Sequence, residues 1–577
     1  MSTNVSKQKR EDLLAKIKAI RTYIATAPQD ENTANLLAYL SELEKDVGAK
    51  KYGLVFEEHR EGIDDLLSNH TPVLKEDDTL FINNGGDINF LIEGDNFASL
   101  QLLEKTHKGK IDLIYIDPPY NTGKKNDEQG GGFIYDDNFV DENDLFIHSK
   151  WLSFMDKRLR LAKKLMAKDG IIFISIGKEE NASLRILCDE IFGEKNILGQ
   201  IVRRTKTTSF RGNYFALRLD YILCYCIGST PPEKFMDVTD KSKYTKVETQ
   251  GKFKGEIYKD DTAFYLSTLE TRPNQRYWIE CPDGELVIPP GTTFPSTNID
   301  GEKAVPVNGD GVWRWEVEQY KIKKEYLSFK KSKRSPLINQ NGEQSHWNIY
   351  TKSYYCEKEN DGNIPTELLL DFINRAGTKE LKALNIKFSF PKPSSLISYL
   401  IQITNKNSKI TVLDFFAGSG TTGHAVMKLN AEDGGNRRFI LCTNNENNIC
   451  REVTYERIKR VIDKEGYAAS LKYFKVDYIP VSERMYYEYA DELLAHIREL
   501  VELENGINFT GNAEVGIVLT EDELAAFIQN GEAFAKCRKL YMGHNLLPDE
   551  EQEKILRSRG IEISIIPDYY YRDLQEG

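Results

Sequence analysis

The sequence predicts an α/β protein built on a doubly wound, mostly parallel sheet, with a β-rich insertion, N-terminal helices and an acidic C-terminal α/β unit. Three observations carry that expectation. Apolar runs alternate with helix-period segments around 110–176 and again around 410–443. Between them the texture changes, and the charge is unevenly spread. At roughly 150 residues per domain, a chain of 577 residues has room for about three or four structural units.

In chain order, residues 1–50 read as two helices, with Leu, Ile and Ala at three- and four-residue spacings on either side of Pro28. A polar connection, Glu61 to Asp78, leads into a first α/β section, 51–229. It holds the apolar run Asn89-Phe-Leu-Ile-Glu-Gly, a strand from Lys110 to Asp117, a helix over Trp151–Ala167 and a strand over Gly170–Ile176. Residues 230–380 are rich in Thr, Tyr, Pro, Gly and Asn and hold four of the five tryptophans, which predicts an inserted β-rich domain. The second α/β section, 381–480, has a strand from Ile410 to Phe416, a glycine turn, a helix from about Thr421 to Leu429 and a strand over Arg438–Thr443. The last unit, 481–577, carries 9 Lys/Arg against 20 Asp/Glu. That net of −11 accounts for nearly all of the chain's −12 and leaves the rest close to neutral.

Against that neutral background two stretches are strongly basic. Ile201–Arg218 has five cations and no carboxylate, and Lys321–Arg334 has seven cations against Glu325. Both interleave aromatics with cations, as phosphate and base contacts require, and Arg203, Arg204, Arg211, Lys323, Lys330 and Lys331 are the candidates for binding a nucleic acid. Solvated faces of ordinary helices or hairpins would read the same way. No apolar run approaches 18 residues and the N-terminus lacks a signal-like apolar stretch, so a cytoplasmic protein with no membrane span is expected. The eight cysteines form no C-x-x-C pair, which fits a reducing compartment and predicts no metal site.

Two motifs sit where an open α/β sheet places ligands, past the carboxyl ends of strands. In Asp117-Pro118-Pro119-Tyr120 the prolines stiffen the backbone, so the Asp117 carboxylate and the Pro118 carbonyl can face one pocket as paired acceptors. An exocyclic amino group has two N–H donors to match, and Tyr120 offers a face for a heterocycle. In Asp414-Phe415-Phe416-Ala417-Gly418-Ser419-Gly420-Thr421 the glycines admit a ligand close to the backbone, and the following helix N-terminus attracts a carboxylate. The G-x-G-x-x-G spacing and the G-K-[ST] lysine are both missing, so dinucleotides and triphosphates are disfavoured. An adenosine lying beside a docked carboxylate describes S-adenosyl-L-methionine, whose ribose hydroxyls Glu446 could accept.

Taken together, Glu93-Gly-Asp-Asn, Asp117-Pro-Pro-Tyr-Asn-Thr-Gly, Phe390-Pro-Lys-Pro and Asp414-Phe-Phe-Ala-Gly-Ser-Gly-Thr-Thr closely resemble the β-group amino-methyltransferases of DNA, and best the Mod subunits of type III restriction-modification systems. The resemblance covers roughly residues 50–480, and touches the ends through Lys51-Tyr-Gly-Leu-Val-Phe and Ile566-Pro-Asp-Tyr-Tyr. It implies a class I S-adenosylmethionine-dependent methyltransferase fold, a target-recognition domain inserted between the catalytic and cofactor motifs, and transfer of a methyl group to adenine N6 in double-stranded DNA. Asp117, Pro118 and Tyr120 would hold a flipped base, with Pro119 completing the motif. Phe416, Gly418 and Gly420 would line the cofactor site, along with Asp414, Ala417, Ser419 and Thr421. The resemblance also brings Asp95 and the Lys392-Pro-Ser stretch toward the methionine end of the cofactor; from the residues alone Asp95 reads equally as a helix cap and Lys392 as a surface cation. Asn444 competes with Glu446 for the ribose. A homodimer and a helicase-nuclease partner are implied. A recognition subunit with little turnover, a cytosine-N4 enzyme and an RNA methyltransferase are the alternatives.

Overall fold

The computed structural model of the chain describes residues 5–26, 31–48, 56–122, 146–208, 214–228, 234–237, 241–267, 272–361, 364–404, 408–481, 493–567 and 570. The chain divides into two compact units, one of Met1–Pro232, Glu367–Ser398 and Ser408–Gly577, the other of Glu233–Thr366 and Tyr399–Asn407.

The first unit is organised by a ten-stranded sheet. Its strands in chain order are β1 (His70–Glu76), β2 (Ile88–Glu93), β3 (Ile111–Ile116), β4 (Met166–Ile176), β5 (Ile197–Arg204), β6 (Leu219–Cys226), β7 (Leu368–Leu369), β8 (Thr411–Asp414), β9 (Arg438–Thr443) and β10 (Ser470–Pro480). Across the sheet they lie in the order β1-β10-β2-β9-β8-β3-β4-β6-β5-β7. The run from β10 to β4 is parallel throughout. The β1–β10, β4–β6 and β6–β5 pairs are antiparallel. Sequence dictates this directly at β3, where Ile111, Leu113, Ile114, Tyr115 and Ile116 are all buried. A continuous apolar run, rather than an alternating one, marks a strand covered on both faces. Each such side chain contributes about 1.5–3 kcal/mol by leaving water.

Helices cover the sheet. The chain's helices include α1 (Val5–Ala25) and α2 (Glu31–Gly48), and those that carry site residues are α3 (Asn96–His107), α4 (Ile147–Leu165), α5 (Asn374–Ala383), α6 (Thr421–Asp433) and α7 (Glu456–Glu465). α1 and α2 pack on each other, with Ile17 and Leu40 buried and Arg21 donating to Ser41 Oγ at 2.6 Å. The segment read as a polar connection, 61–78, instead contains a short helix, Gly62–Leu67, and strand β1, which pairs along its whole length with β10. Pro72, Val73 and Leu74 are the only buried residues of β1, too short a run to betray an edge strand. The C-terminal segment adds a three-stranded parallel sheet of β11 (Val515–Val518), β12 (Lys539–Met542) and β13 (Glu562–Ile565). Val518, Leu524, Leu540, Met542 and Leu556 form its core.

The second unit is β-rich. Its largest sheet is antiparallel, with strands Leu327–Lys331, Trp347–Tyr354, Ile257–Ala263 and Lys246–Val247. Its core gathers Tyr277, Trp313, Tyr320 and Ile349. The Arg276 guanidinium is buried there and donates to the carbonyls of Pro289 (3.0 Å) and Gly311 (2.6 Å). No helix among the described residues is long and apolar enough to cross a membrane.

Candidate active site at the carboxyl edge of the sheet

Because β2, β9, β8, β3 and β4 run parallel, their carboxyl ends share one edge, and the two sequence motifs meet there. Asp117 follows β3 directly and its side chain is 28% exposed. Its carboxylate accepts from Lys392 Nζ through both oxygens, at 2.5 Å each. Lys392 is 8% exposed and also donates to the Tyr120 hydroxyl at 2.9 Å, so the residue read as a possible surface cation is buried against the Asp117-Pro-Pro-Tyr segment. Charge-assisted contacts of this length are the strong kind. The Pro119 carbonyl accepts from the Trp151 indole N–H at 2.8 Å, while no described residue donates to the Pro118 carbonyl. Behind Tyr120 stands Gly177, where a Cβ would come within 2.8 Å of the ring; only glycine leaves that room. Beyond Tyr120, Asn121 adopts a left-handed conformation (φ 55°) and donates to the fully buried Glu180, which also meets His148.

The glycine turn is built differently. Asp414, at the end of β8, is buried and accepts from the Phe416 N–H (3.0 Å) and the Thr422 hydroxyl (2.5 Å). Burial pushes its carboxyl up to about 7, and the Asp117 charge nearby adds to the rise. This corrects the reading of Asp414 as a residue facing the cofactor: it ties the turn together from inside. Phe416, Ala417, Ser419 and Thr421 are also buried side chains, and Gly418 is the half-exposed position of the turn. Gly418 and Gly420 have φ of 50° and 73°, which favours glycine at both. Gly420 caps α6 without any side-chain acceptor, so the first amides of that helix keep their donor capacity.

Arg457, on α7, was not singled out by any sequence motif. Fully buried, it donates to Ser419 Oγ (3.1 Å), Thr421 Oγ1 (2.9 Å) and Glu380 (2.9 Å). Burial lowers its guanidinium to about 10, against the opposing pull of Glu380. Glu380 in turn accepts from the Ser394 hydroxyl at 2.9 Å, and Thr421 donates to the Lys392 carbonyl at 3.4 Å. One network therefore joins the glycine turn to the segment that carries Lys392. Gly377 of α5 lets that segment approach, since a Cβ there would lie 2.6 Å from the Lys392 carbonyl.

On the neighbouring strand ends, Asp95 caps α3, accepting from the amides of Phe97 (2.7 Å) and Ala98 (3.4 Å). Its second oxygen faces Arg158 at 3.4 Å. Asn96, buried next to it, donates to the Phe415 carbonyl at 3.2 Å and so binds the end of β2 to that of β8. Glu446 opens a short turn after β9 and is exposed. The donor set fits S-adenosyl-L-methionine: open helix amides for a carboxylate, an exposed carboxylate after β9 for ribose hydroxyls, and a half-exposed glycine between them.

The basic candidates separate. Arg203 is fully buried, donating to Asp220 Oδ1 (2.8 Å), the Phe372 carbonyl (2.7 Å) and Asn374 (2.9 Å), so its assignment as a DNA contact is corrected. The physical reason is register: Arg203 lies opposite Asp220 in the β5–β6 pair, and the aspartate neutralises it inside the sheet. Arg204 is half-buried and donates to the Leu370 carbonyl at 2.8 Å. Arg211 lies outside the described residues, as do 51–55 and 568–569 of the terminal motifs. The described residues of the 201–218 stretch belong to the unit of the large sheet and not to the insertion. In the second unit Lys323, Lys330 and Lys331 are exposed, over the rings of Trp315, Tyr350 and Trp347 at 6.0, 4.9 and 5.4 Å. Lys330 also shares the Asp260 carboxylate with Lys246.

Comparison with known proteins agrees with this geometry. Residues 111–455 match the N6/N4 methyltransferase family described as DNA methylase. The chain is 36% identical over 366 residues to the type II methyltransferase M.KpnI of Klebsiella pneumoniae, covering 61% of this chain and 79% of that one. It is 31% identical over 421 residues to the StyLTI Mod subunit, a type III restriction-modification enzyme of Salmonella typhimurium, covering 65% of this chain and 57% of that one. The EcoP15I Mod subunit of Escherichia coli is 30% identical over 430 residues, covering 65% and 62%. The chain thus spans less than two thirds of these Mod subunits. Among solved structures, the cytosine-N4-specific PvuII DNA methyltransferase is a loose likeness, with a TM-score of 0.31 and 12% identity, covering 68% of this chain and 98% of that one. With 345 of its residues inside the matched span, the chain belongs to the N6/N4 DNA methylase family.

Proposed function

We propose that the chain transfers a methyl group from S-adenosyl-L-methionine to the exocyclic N6 of adenine in double-stranded DNA, as the modification and specificity subunit of a type III restriction-modification system. The observation that carries this is the nitrogen already seated on Asp117. Lys392 Nζ donates to both Asp117 oxygens and to the Tyr120 hydroxyl, which supports reading these groups as acceptors for a nitrogen that bears several hydrogens. An adenine amino group is a weak nucleophile because its lone pair is delocalised into the ring. With Asp117 and Pro118 accepting its two hydrogens, the nitrogen is drawn toward tetrahedral geometry and the lone pair returns. Asp117 then takes the proton released as the N–C bond forms. When bound, S-adenosylmethionine supplies the electrophilic methyl group. The open amides of α6 would hold its carboxylate and Glu446 its ribose, while Tyr120, steadied by a 3.4 Å hydrogen bond to Asp220, stacks on the base. A base inside a duplex cannot reach this pocket, so it is flipped out.

Adenine and a separate helicase-nuclease partner follow from the resemblance to Mod subunits of type III restriction-modification enzymes, a name that several relatives carry; a cytosine-N4 enzyme is the alternative. Target recognition is assigned to the second unit, whose exposed Lys323, Lys330 and Lys331 stand over aromatic rings. A homodimer is assigned on the exposed Leu13, Ile20, Tyr23, Leu36, Tyr39 and Leu43 of α1 and α2. The test is to incubate the purified chain with labelled S-adenosylmethionine and DNA from a host lacking it, then map modified bases by long-read sequencing. N6-methyladenine at one short motif is expected. N4-methylcytosine would replace adenine by cytosine, and cofactor binding without labelled DNA would sink the reading.

A further inference from the structure

The same unit carries a second feature beside the Lys392–Asp117 contact. An open cleft of about 500 Å³ lies between the turn that leaves β5, residues 205–208, and the segment 373–390 that enters and follows α5. Its volume falls in the range of roughly 300–1,000 Å³ typical of ligand sites. The lining is not apolar. Lys206 and Arg375 are both exposed there, and among the described residues neither is paired with a carboxylate. Thr205 and Thr207 add hydroxyls, and Phe388 and Phe390 add rings. Cations, hydroxyls and aromatic faces on one open groove match a nucleic-acid strand: phosphate for the first two, bases for the third.

Phe390 is the unusual member. It is 59% exposed, an uncommon position for a phenyl ring, and its φ is 57°. A bulky residue in the left-handed region is strained, more so before a proline, where extended backbone is the rule. Strain of this kind persists where the surrounding structure imposes it, and it clusters at functional sites. Here the surroundings are clear: two residues on, Lys392 is buried against Asp117 and Tyr120. The segment that buries Lys392 thus leaves the Phe390 ring exposed, in the lining of the cleft. Beyond it, the Phe388 ring borders the glycine turn, where a Cβ on Gly418 would lie 3.7 Å from its Cζ.

We propose that this cleft seats the DNA strand that carries the target base, with Lys206 and Arg375 on its phosphates, and that the Phe390 ring fills the stack the flipped base vacates. The inference rests on the DNA methyltransferase reading above and names a contact site for it outside the inserted unit. An apolar wedge lowers the cost of unstacking a base by replacing its lost contacts. That role has a signature which a merely structural ring lacks, because a target that is already unpaired no longer needs the wedge.

The experiment uses the full-length chain, a duplex with its mapped recognition motif, and a matched duplex with an abasic site opposite the target adenine. Phe390→Ala should slow methylation of the paired duplex by about 10- to 100-fold and should come within about threefold of wild type on the abasic duplex. Phe390→Tyr, which keeps the ring, should stay near wild type on both. Lys206→Gln and Arg375→Gln should each lower the slope of log affinity against log salt by about 1. A Phe390→Ala rate equal to wild type on paired DNA, or equally slow on both duplexes, would overturn the wedge, and unchanged salt slopes would remove the strand from the cleft. If wild type methylates neither duplex, the underlying reading fails first, and the inference with it.

Discussion

Asp117 and Asp414 end neighbouring parallel strands, yet they are held in opposite ways. Asp117 is partly open and its charge is matched by the Lys392 ammonium at 2.5 Å. Asp414 is closed off, hydrogen-bonded by Thr422 and the Phe416 amide, with its carboxyl pushed up to about 7 by burial. The same residue after the same kind of strand becomes in one case a partly exposed, ion-paired group and in the other a knot that shapes a turn. The difference lies in what the rest of the chain brings: a buried cation to the first, a hydroxyl and an amide to the second.

That contrast sets the order of effects expected from mutation. Asp117→Ala should cut methylation by about 10²- to 10⁴-fold, the range of a lost acid–base group, and should also lower the thermal midpoint, because the buried Lys392 ammonium loses its carboxylate. An unchanged rate in a folded Asp117→Ala protein would show that Asp117 is not the acceptor. Arg457→Met should act on the other side, destabilising the fold by about 3–5 kcal/mol in urea titration, because Glu380 is left without its buried partner. Asp414→Asn keeps the shape but not both acceptors, and should cost about 1–3 kcal/mol of stability and weaken S-adenosylhomocysteine binding in calorimetry, with a smaller effect on the chemical step.

The smallest effect concerns pH. In Asp414 the folded value of about 7 lies above the ordinary 3.8, so the folded state binds the extra proton between them. Its stabilising contribution is full below about pH 4, falls as pH rises toward 7, and is flat above. Asp414→Asn should remove that part of the pH slope in a series of urea titrations. Asp117→Asn should move the same transition to lower pH, since the Asp117 charge is one of its causes, and Lys392→Met should move it higher.

The chemistry-bearing strands were legible because they are buried on both faces. The apolar runs 111–116, 411–414 and 438–443 leave no other reading, and the glycines at 418 and 420 mark the turn. What escaped was whatever depended on a partner far along the chain. Arg203 sits in a basic, aromatic stretch, and only the acid opposite it in β6 reveals a buried ion pair; Asp220, just inside the apolar run of β6, was the available signal. Lys392 is 275 residues from Asp117 and is brought to it by tertiary structure alone. Arg457 lies on a helix of ordinary amphipathic pattern, and nothing local separates it from the solvated arginines around it. Edge strand β1 was lost for the opposite reason, having too little apolar sequence to declare itself.

The strand order β2-β9-β8-β3 has a consequence for how the protein comes into being. β2 and β3 are consecutive in the chain, but the places between them belong to β9 and β8. The Thr411 amide donates to the Asp112 carboxylate across 299 residues. During synthesis the N-terminal half leaves the ribosome as a sheet with a gap two strands wide, its edges open to any passing strand. The corner around Asp117 gains its final shape only when the last third of the chain closes that gap. Contacts so distant in sequence make folding slow and the unfinished chain prone to aggregation. A chain cut short at residue 400 should therefore behave as a client of chaperones and not as half an enzyme.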